Sequence, residues 1–307
     1  IIEGNLGTAN VNVNLDAALE LDGSADYLKN SVSDFRTDDT AGFITAWVKS
    51  DDWNRGTQQH IFSATDETTG NFYIRTFFNS DGKLYIKHMD SSVIYDLKST
   101  NAVTDDGNWH HIAVGSTGTA IKMYIDGIEE TVVGSNNNGD WFGDVTDGKL
   151  DHIVVGALHD NAGVRSMFDG YIADVRYYSD TLTDAEISKL SSKINASTPD
   201  IDNLQHWWKL NSTTIDSSNL GEDFGDATDL DLTPNSIVAS NIHTDEYSVD
   251  VYDGYDGSNA TTRTTTDGAF TVTQGKVECK ALSSVLLDGN SDLVTCTSNT
   301  FYNSKTA

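Results

Sequence analysis

The sequence predicts an all-β fold, and three observations carry that prediction. Short apolar runs alternate with polar residues at a period of two, as in Phe72, Ile74, Thr76 and Phe78, or Ile121, Met123 and Ile125. Turn pairs such as Asp22-Gly23, Asp81-Gly82 and Asp126-Gly127 punctuate the runs, with 25 Gly and only two Pro in 307 residues. The acid is lopsided as well: 38 Asp stand against 9 Glu, and Asp favours turns where Glu favours helices. Hydrophobic content of 37%, with six Trp and twelve Tyr, is that of a folded chain, and its length is a prior for about two domains.

The elements can be justified in order. Residues 1–16 read as an arm, because Val11, Val13 and Leu15 alternate with Asn12 and Asn14 as one half-buried strand without a local partner. Such a strand can pair with its own domain or with another subunit. Ala18–Asp22 and Tyr27-Leu28 flank the Asp22-Gly23 turn. Phe43, Thr45 and Trp47 share one face of the next strand and Ile44, Ala46 and Val48 the other, so this strand is central and covered on both sides. Leu84 and Ile86 face one way and Tyr85 and Lys87 the other. A single helix starts at Thr183, whose capping box with Glu186 satisfies two free N–H groups, while Leu182 and Ile187 suit a hydrophobic staple. It is expected to pack on the edge of the fold. Residues 195–203 read as a linker, and 204–307 as a C-terminal β-region.

Four segments in the middle of the chain carry a family resemblance. Asn108-Trp109-His110-His111-Ile112-Ala113-Val114 is followed by Met123-Tyr124-Ile125-Asp126-Gly127. Phe168-Asp169-Gly170-Tyr171-Ile172-Ala173-Asp174-Val175-Arg176-Tyr177-Tyr178 and Leu182-Thr183-Asp184-Ala185-Glu186-Ile187 complete the series. In that order, residues 17–194 resemble the laminin G-like branch of the concanavalin A-like superfamily. The resemblance implies an antiparallel jelly-roll β-sandwich, a fold that carries lectins, adhesins, structural modules and some glycosidases. Leu204–Asn211 resembles the segment that usually opens such a domain, and Val285–Val294 echoes Ala18–Leu28 at a spacing of roughly 267 residues. Residues 204–307 are thus either a partial second copy or a small β-domain whose Trp207-Trp208 strand docks back on the first sandwich. The second account leaves no apolar half-sandwich face open.

Catalysis finds little support. A family 16 glycosidase strand reads Glu-x-Asp-x-x-Glu; the nearest approach is Glu20-Leu21-Asp22, with Ala25 where the acid belongs. His110 and His111 are adjacent on a strand and face opposite sides, so they do not share a metal. Cys279 and Cys296 fall out of register in a hairpin turning near Asp288-Gly289-Asn290, which argues against a disulfide. By the resemblance, a structural Ca²⁺ is expected at Asp22 or Asp26 with Asp174, carboxylates and turn carbonyls being its usual donors. Glycan contact is expected at two polar loops with aromatic tips: Asn138, Asp140, Trp141 and Phe142 in one, Trp53 and Asn54 in the other.

The net charge of −28 repels nucleic acid and anionic lipid, and no apolar stretch is long enough for membrane insertion. The chain opens at Ile1 without initiator Met or leader, which reads as a processed chain or the ordered part of a longer one. The expected function is therefore non-enzymatic: a surface-exposed structural or adhesion protein, extracellular or on a virion (phage tail-fibre, decoration or capsid-associated). Its expected partners are a glycan or other subunits of a surface assembly, as a homo-oligomer or within a larger complex. A secreted or cell-surface lectin module is the alternative, and a glycosidase a distant third.

Overall fold

The computed structural model describes residues 17–243 apart from 51, 105–106, 193–200 and 213, together with the backbone of short strands outside that span. The chain divides into two compact units, Ala17–His243 and a second made of Ile1–Asp16 with Thr244–Ala307. In chain order the strands begin with β1 (Ala9–Asn12), β2 (Ala17–Asp22), β3 (Tyr27–Ser31), β4 (Gly42–Lys49), β5 (Gln59–Thr65) and β6 (Phe72–Phe78). Next come β7 (Lys83–Asp90), β8 (Ser92–Ala102), β9 (His110–Ser116), β10 (Ile121–Ile125), β11 (Ile128–Glu130) and β12 (Val132–Ser135). β13 (His152–Val155), β14 (Leu158–Asp160), β15 (Gly163–Arg165) and β16 (Asp169–Tyr178) lead to helix α1 (Asp184–Leu190). β17 (Leu204–Trp208), β18 (Thr233–Asn235) and β19 (Ile242–Thr244) follow it.

The larger unit is a sandwich of two eight-stranded sheets. One runs β11-β10-β9-β4-β16-β2-β19 with β17 also on β16, the other β12-β8-β7-β6-β5-β13-β3-β18. Alternation dictates the layers. Ile44, Ala46 and Val48 of β4 enter the core between the sheets, as do Ile74 and Phe78 of β6 and Leu84 and Ile86 of β7. Phe43 and Trp47 point the other way and are buried too, so β4 is covered on both faces, as its sequence implies.

Helix α1 starts where its capping box places it: the Thr183 side chain accepts from Glu186 N–H, and the Glu186 carboxylate accepts from Thr183 N–H at 2.7 Å. Leu182, Ile187 and Leu190 pack with Phe43, Tyr124, Tyr178 and Trp207. The helix therefore covers the outer face of the first sheet and is not confined to its rim.

The expected domain boundary lies elsewhere. β17 pairs with Val175–Tyr178 of β16, on the edge that β2 uses along Asp169–Ile172. Trp208, Leu210, Leu220 and Leu232 all lie in the core at zero exposure. Residues 204–243 thus complete the sandwich begun at residue 17. In the second unit, β1 pairs antiparallel with β22 (Ala269–Val272), its own chain supplying the partner. The same unit holds a five-stranded sheet of β20 (Tyr247–Tyr252), β21 (Ala260–Thr265), β23 (Val277–Glu278), β24 (Val294–Thr295) and β25 (Thr300–Phe301). Residues 285–293 of the repeat, both cysteines and residues 195–200 of the linker lie outside the described residues.

Candidate functional site

The outer face of the second sheet presents two rows of side chains set by cross-strand register. His60, Phe77, Tyr85 and Lys98 form one row across β5–β8; Ser63, Arg75, Lys87 and Asp96 form the next. His60 stacks on Phe77 with centroids 4.9 Å apart, Phe77 stacks on Tyr85 at 5.3 Å, and Lys98 Nζ lies 5.2 Å over the Tyr85 ring. Arg75 sits between two rings, its Cζ 4.4 Å from the Tyr73 centroid and 5.4 Å from that of Phe77.

Charge pairing singles out Arg75. Arg36, Arg55, Arg165 and Arg176 each have an aspartate within salt-bridge distance, whereas Arg75, the remaining arginine with a described side chain, has none. Its Nε is buried with no hydrogen-bond partner. Burial pushes its guanidinium down from the usual arginine range, and Arg165 adds to that effect against Tyr73, Asp160 and Asp96. Burial and the same two arginines also push His60 well below the usual histidine value. The β14–β15 hairpin packs against β5 beside this face: Ser63 Oγ donates to Ala157 O at 2.8 Å, and Thr65 Oγ1 donates to His159 O. Asp160 and Arg165 of the hairpin form a bidentate pair. An unpaired guanidinium can take a carboxylate through two parallel N–H···O bonds, but Phe77, Tyr73 and Arg75 are themselves buried, at 1%, 5% and 9% exposure, so it is the half-buried Tyr85 ring that has a face open to a sugar.

The predicted aromatic tips are elsewhere. Trp141 and Phe142 are fully buried, Trp141 Nε1 donating to Tyr177 Oη at 3.2 Å and Phe142 packing edge-on against Phe35. Trp53 is fully buried against Phe78, His110 and Phe168. These rings plug the ends of the sandwich and offer no face to a sugar, because a large aromatic stabilises a core end more than a loop tip. Their polar neighbours stay outside: Asn138 and Asn54 are exposed, and Asn138 Nδ2 donates to Asp140 Oδ2 at 2.6 Å.

Against known proteins, the family model for the concanavalin A-like lectin/glucanases superfamily matches residues 22–188, more than half of the chain. The chain belongs to that superfamily. Among solved structures it is similar to a Bacteroides ovatus protein put forward as carbohydrate-binding. The two share 15% identity and a TM-score of 0.52, over 75% of this chain and 60% of that one. It is also similar to a Ruminococcus gnavus IT-sialidase CBM40 solved with α2,3-sialyllactose, at 15% identity over 62% of this chain and 100% of that one, TM-score 0.46. A heptameric pentraxin of Limulus polyphemus matches at 16% identity over 61% and 87%, TM-score 0.45. No curated protein matches the chain.

In this concanavalin A-like chain the three expected calcium ligands do not meet. Asp169 lies opposite Asp22, and Asp174 is five residues further along β16, roughly 15 Å away at strand rise. Asp22 Oδ1 accepts N–H groups of Ser24, Ala25 and Asp26, and its Oδ2 accepts the Ser24 hydroxyl. Slight burial raises its carboxyl, but these hydrogen bonds overcome that and hold it at about 2. Asp26 Oδ2 accepts from Asp22 N–H and Asn241 Nδ2. Asp174, at φ 56° in the β16 bulge, accepts from Trp207 Nε1 at 2.5 Å and pairs with Arg176 at 2.9 Å. Carboxylates committed to their own turn or to buried donors fit a hydrogen-bonding role, and the set does not fit a shared Ca²⁺ site.

His110 and His111 diverge as their strand requires. His110 Nδ1 lies 2.8 Å from Asp126, while His111 is buried against Trp47, and burial lowers it to about 3. A depression of about 520 Å³ lies between Ser31–Asp39 and Ala227–Leu230. Its Arg36 is paired with Asp39, so acid dominates its lining.

Proposed function

We propose that the Ala17–His243 sandwich is a non-catalytic glycan-binding module of an extracellular surface, and that it takes a carboxylated sugar on the outer face of β6–β8. One observation carries this reading: in a chain of net charge −28, Arg75 is held between Tyr73 and Phe77 without a carboxylate partner. Superfamily membership agrees with a lectin-type role. The half-buried Tyr85 ring continues the platform outward, with Lys87 and Lys98 beside it, each paired with an aspartate.

A finer reading makes the protein part of a virion or other surface assembly. Its support is the acidic surface, the incomplete repeat and the β1 arm as a strand donated to a neighbour. Pairing of β1 with β22 of its own chain favours the self-contained module.

A glycan array with purified protein tests the proposal. Carboxylated glycans are expected to bind, with Arg75→Gln weakening them by about 1.5–3 kcal/mol, roughly 10- to 150-fold, as for other hydrogen bonds to charge. Tyr85→Ala should weaken binding with little change in melting temperature. Binding that ignores both substitutions would sink the assignment of this face, and product release from a glycan substrate would sink the non-catalytic reading.

A further inference from the structure

Away from that platform, one cluster has its ligand atoms turned on one another. Glu67 sits in the turn after β5, His152 opens β13, and His159 is the middle residue of β14. His152 Nε2 lies 2.7 Å from Glu67 Oε2, and His159 Nε2 lies 3.1 Å from Glu67 Oε1. One ligand atom from each of the three falls within 4.8 Å of the other two. The imidazoles cross at 79° with centroids 5.3 Å apart, so they approach the carboxylate from two directions.

A second layer holds this arrangement. Asp151 Oδ1 lies 3.0 Å from His152 Nδ1 and also accepts the Glu67 backbone N–H at 3.0 Å. A proton on Nδ1 donated to Asp151 would leave the Nε2 lone pair of His152 facing Glu67, the arrangement found in carboxylate–histidine–metal triads. The 2.7 Å approach of Nε2 to a carboxylate oxygen is bridged either by a proton or by a metal ion, and Ser31 Oγ lies 3.0 Å from the same nitrogen. Nδ1 of His159 is buried without a partner, so Nε2 is the nitrogen through which that ring meets Glu67.

We propose that Glu67, His152 and His159 form a site for one divalent transition-metal ion of the zinc type. Two imidazoles and one carboxylate match zinc's preference for nitrogen and oxygen donors, whereas Ca²⁺ wants six to eight oxygens. The Glu67 side chain is 42% exposed, which leaves water a route to a fourth position. A tetrahedral ion with bonds near 2.0 Å spaces its donors roughly 3.3 Å apart, close to the His159–Glu67 separation. The ion would fasten the turn after β5, the start of β13 and the β14–β15 hairpin together. The site stands whether or not the neighbouring face binds a glycan.

The test uses the full chain, stripped of metal by a chelator and titrated with Zn²⁺ by calorimetry, with Co²⁺ as a spectroscopic reporter. One equivalent of Zn²⁺ is expected, together with the visible absorption of four-coordinate Co²⁺. Glu67→Gln and His159→Ala should each weaken binding roughly 100-fold or more, and Asp151→Asn about 10- to 100-fold through His152. Circular dichroism checks the fold of each variant; should His159→Ala fail to fold, the exposed Glu67→Gln carries the decision. No stoichiometric binding overturns the proposal. Equally, unchanged affinity in Glu67→Gln overturns it, by placing the ion elsewhere on the acidic surface.

Discussion

At the scale of single residues, burial makes Trp141 a structural side chain. Trp141 Nε1 donates to Tyr177 Oη, which donates to Asp39 Oδ2 at 2.8 Å, and Asp39 takes Arg36 Nε at 2.6 Å. All of this lies under the loop that its sequence presents as an exposed tip. Trp141→Ala is therefore expected to destabilise the sandwich by about 3–5 kcal/mol through lost burial and a cavity. For a unit of this size that lowers the melting temperature by roughly 10 °C. Binding of glycan to whatever protein remains folded should be unchanged. A melting temperature within a degree of the parent would show the ring to be outside the core. The sequence could not make this distinction, because Gly-flanked loops with aromatic pairs occur both as tips and as plugs. It did hold the signal for the platform. The strand that turns Ile74, Thr76 and Phe78 to one face turns Tyr73, Arg75 and Phe77 to the other, where all three are buried as well.

At the scale of elements, period-two alternation and turn chemistry made most strands legible, and the Thr183 capping box marked the helix start. Pairing between distant segments was legible only as one of two alternatives, the Trp207-Trp208 strand docking back on the sandwich. β17 follows a linker-like stretch and resembles a domain opening, yet it lies beside Val175–Tyr178. Only long-range packing reveals that β2 and β17 share one edge of β16 end to end, with the Asp174 bulge between them. A fragment of residues 17–194 leaves half that edge open and strips Trp208, Leu210, Leu220 and Leu232 from the core. At about 3–5 kcal/mol for a buried Trp and 2–5 for each Leu, the loss matches or exceeds the 5–15 kcal/mol that holds a typical domain. Expressed separately, 17–194 should be aggregated or unfolded, while 17–243 should be soluble with one cooperative transition. A cooperative melt from the shorter fragment would mean that residues 204–243 are dispensable.

At the scale of the whole molecule, net charge and buried histidines act on stability in different pH ranges. The charge of −28 repels itself, and relief comes where carboxylates protonate, below about pH 5. The histidines begin to act above that range. Burial lowers His88 to about 4, its three nearby aspartates opposing only partly, and lowers His111 to about 3. Both values lie below the ordinary 6.5, so the folded state holds the neutral rings while the unfolded chain takes up protons first. Their stabilising contribution is complete above pH 6.5 and declines as pH falls toward 4 and 3. At pH 5.5 each ring has given up about 1.4 kcal/mol, about 3 kcal/mol together. Histidine ring resonances followed by NMR on the folded protein should show His111 and His88 silent from pH 8 to 5. A ring that titrates near 6.5 is reached by water, and its share of the loss disappears from the account.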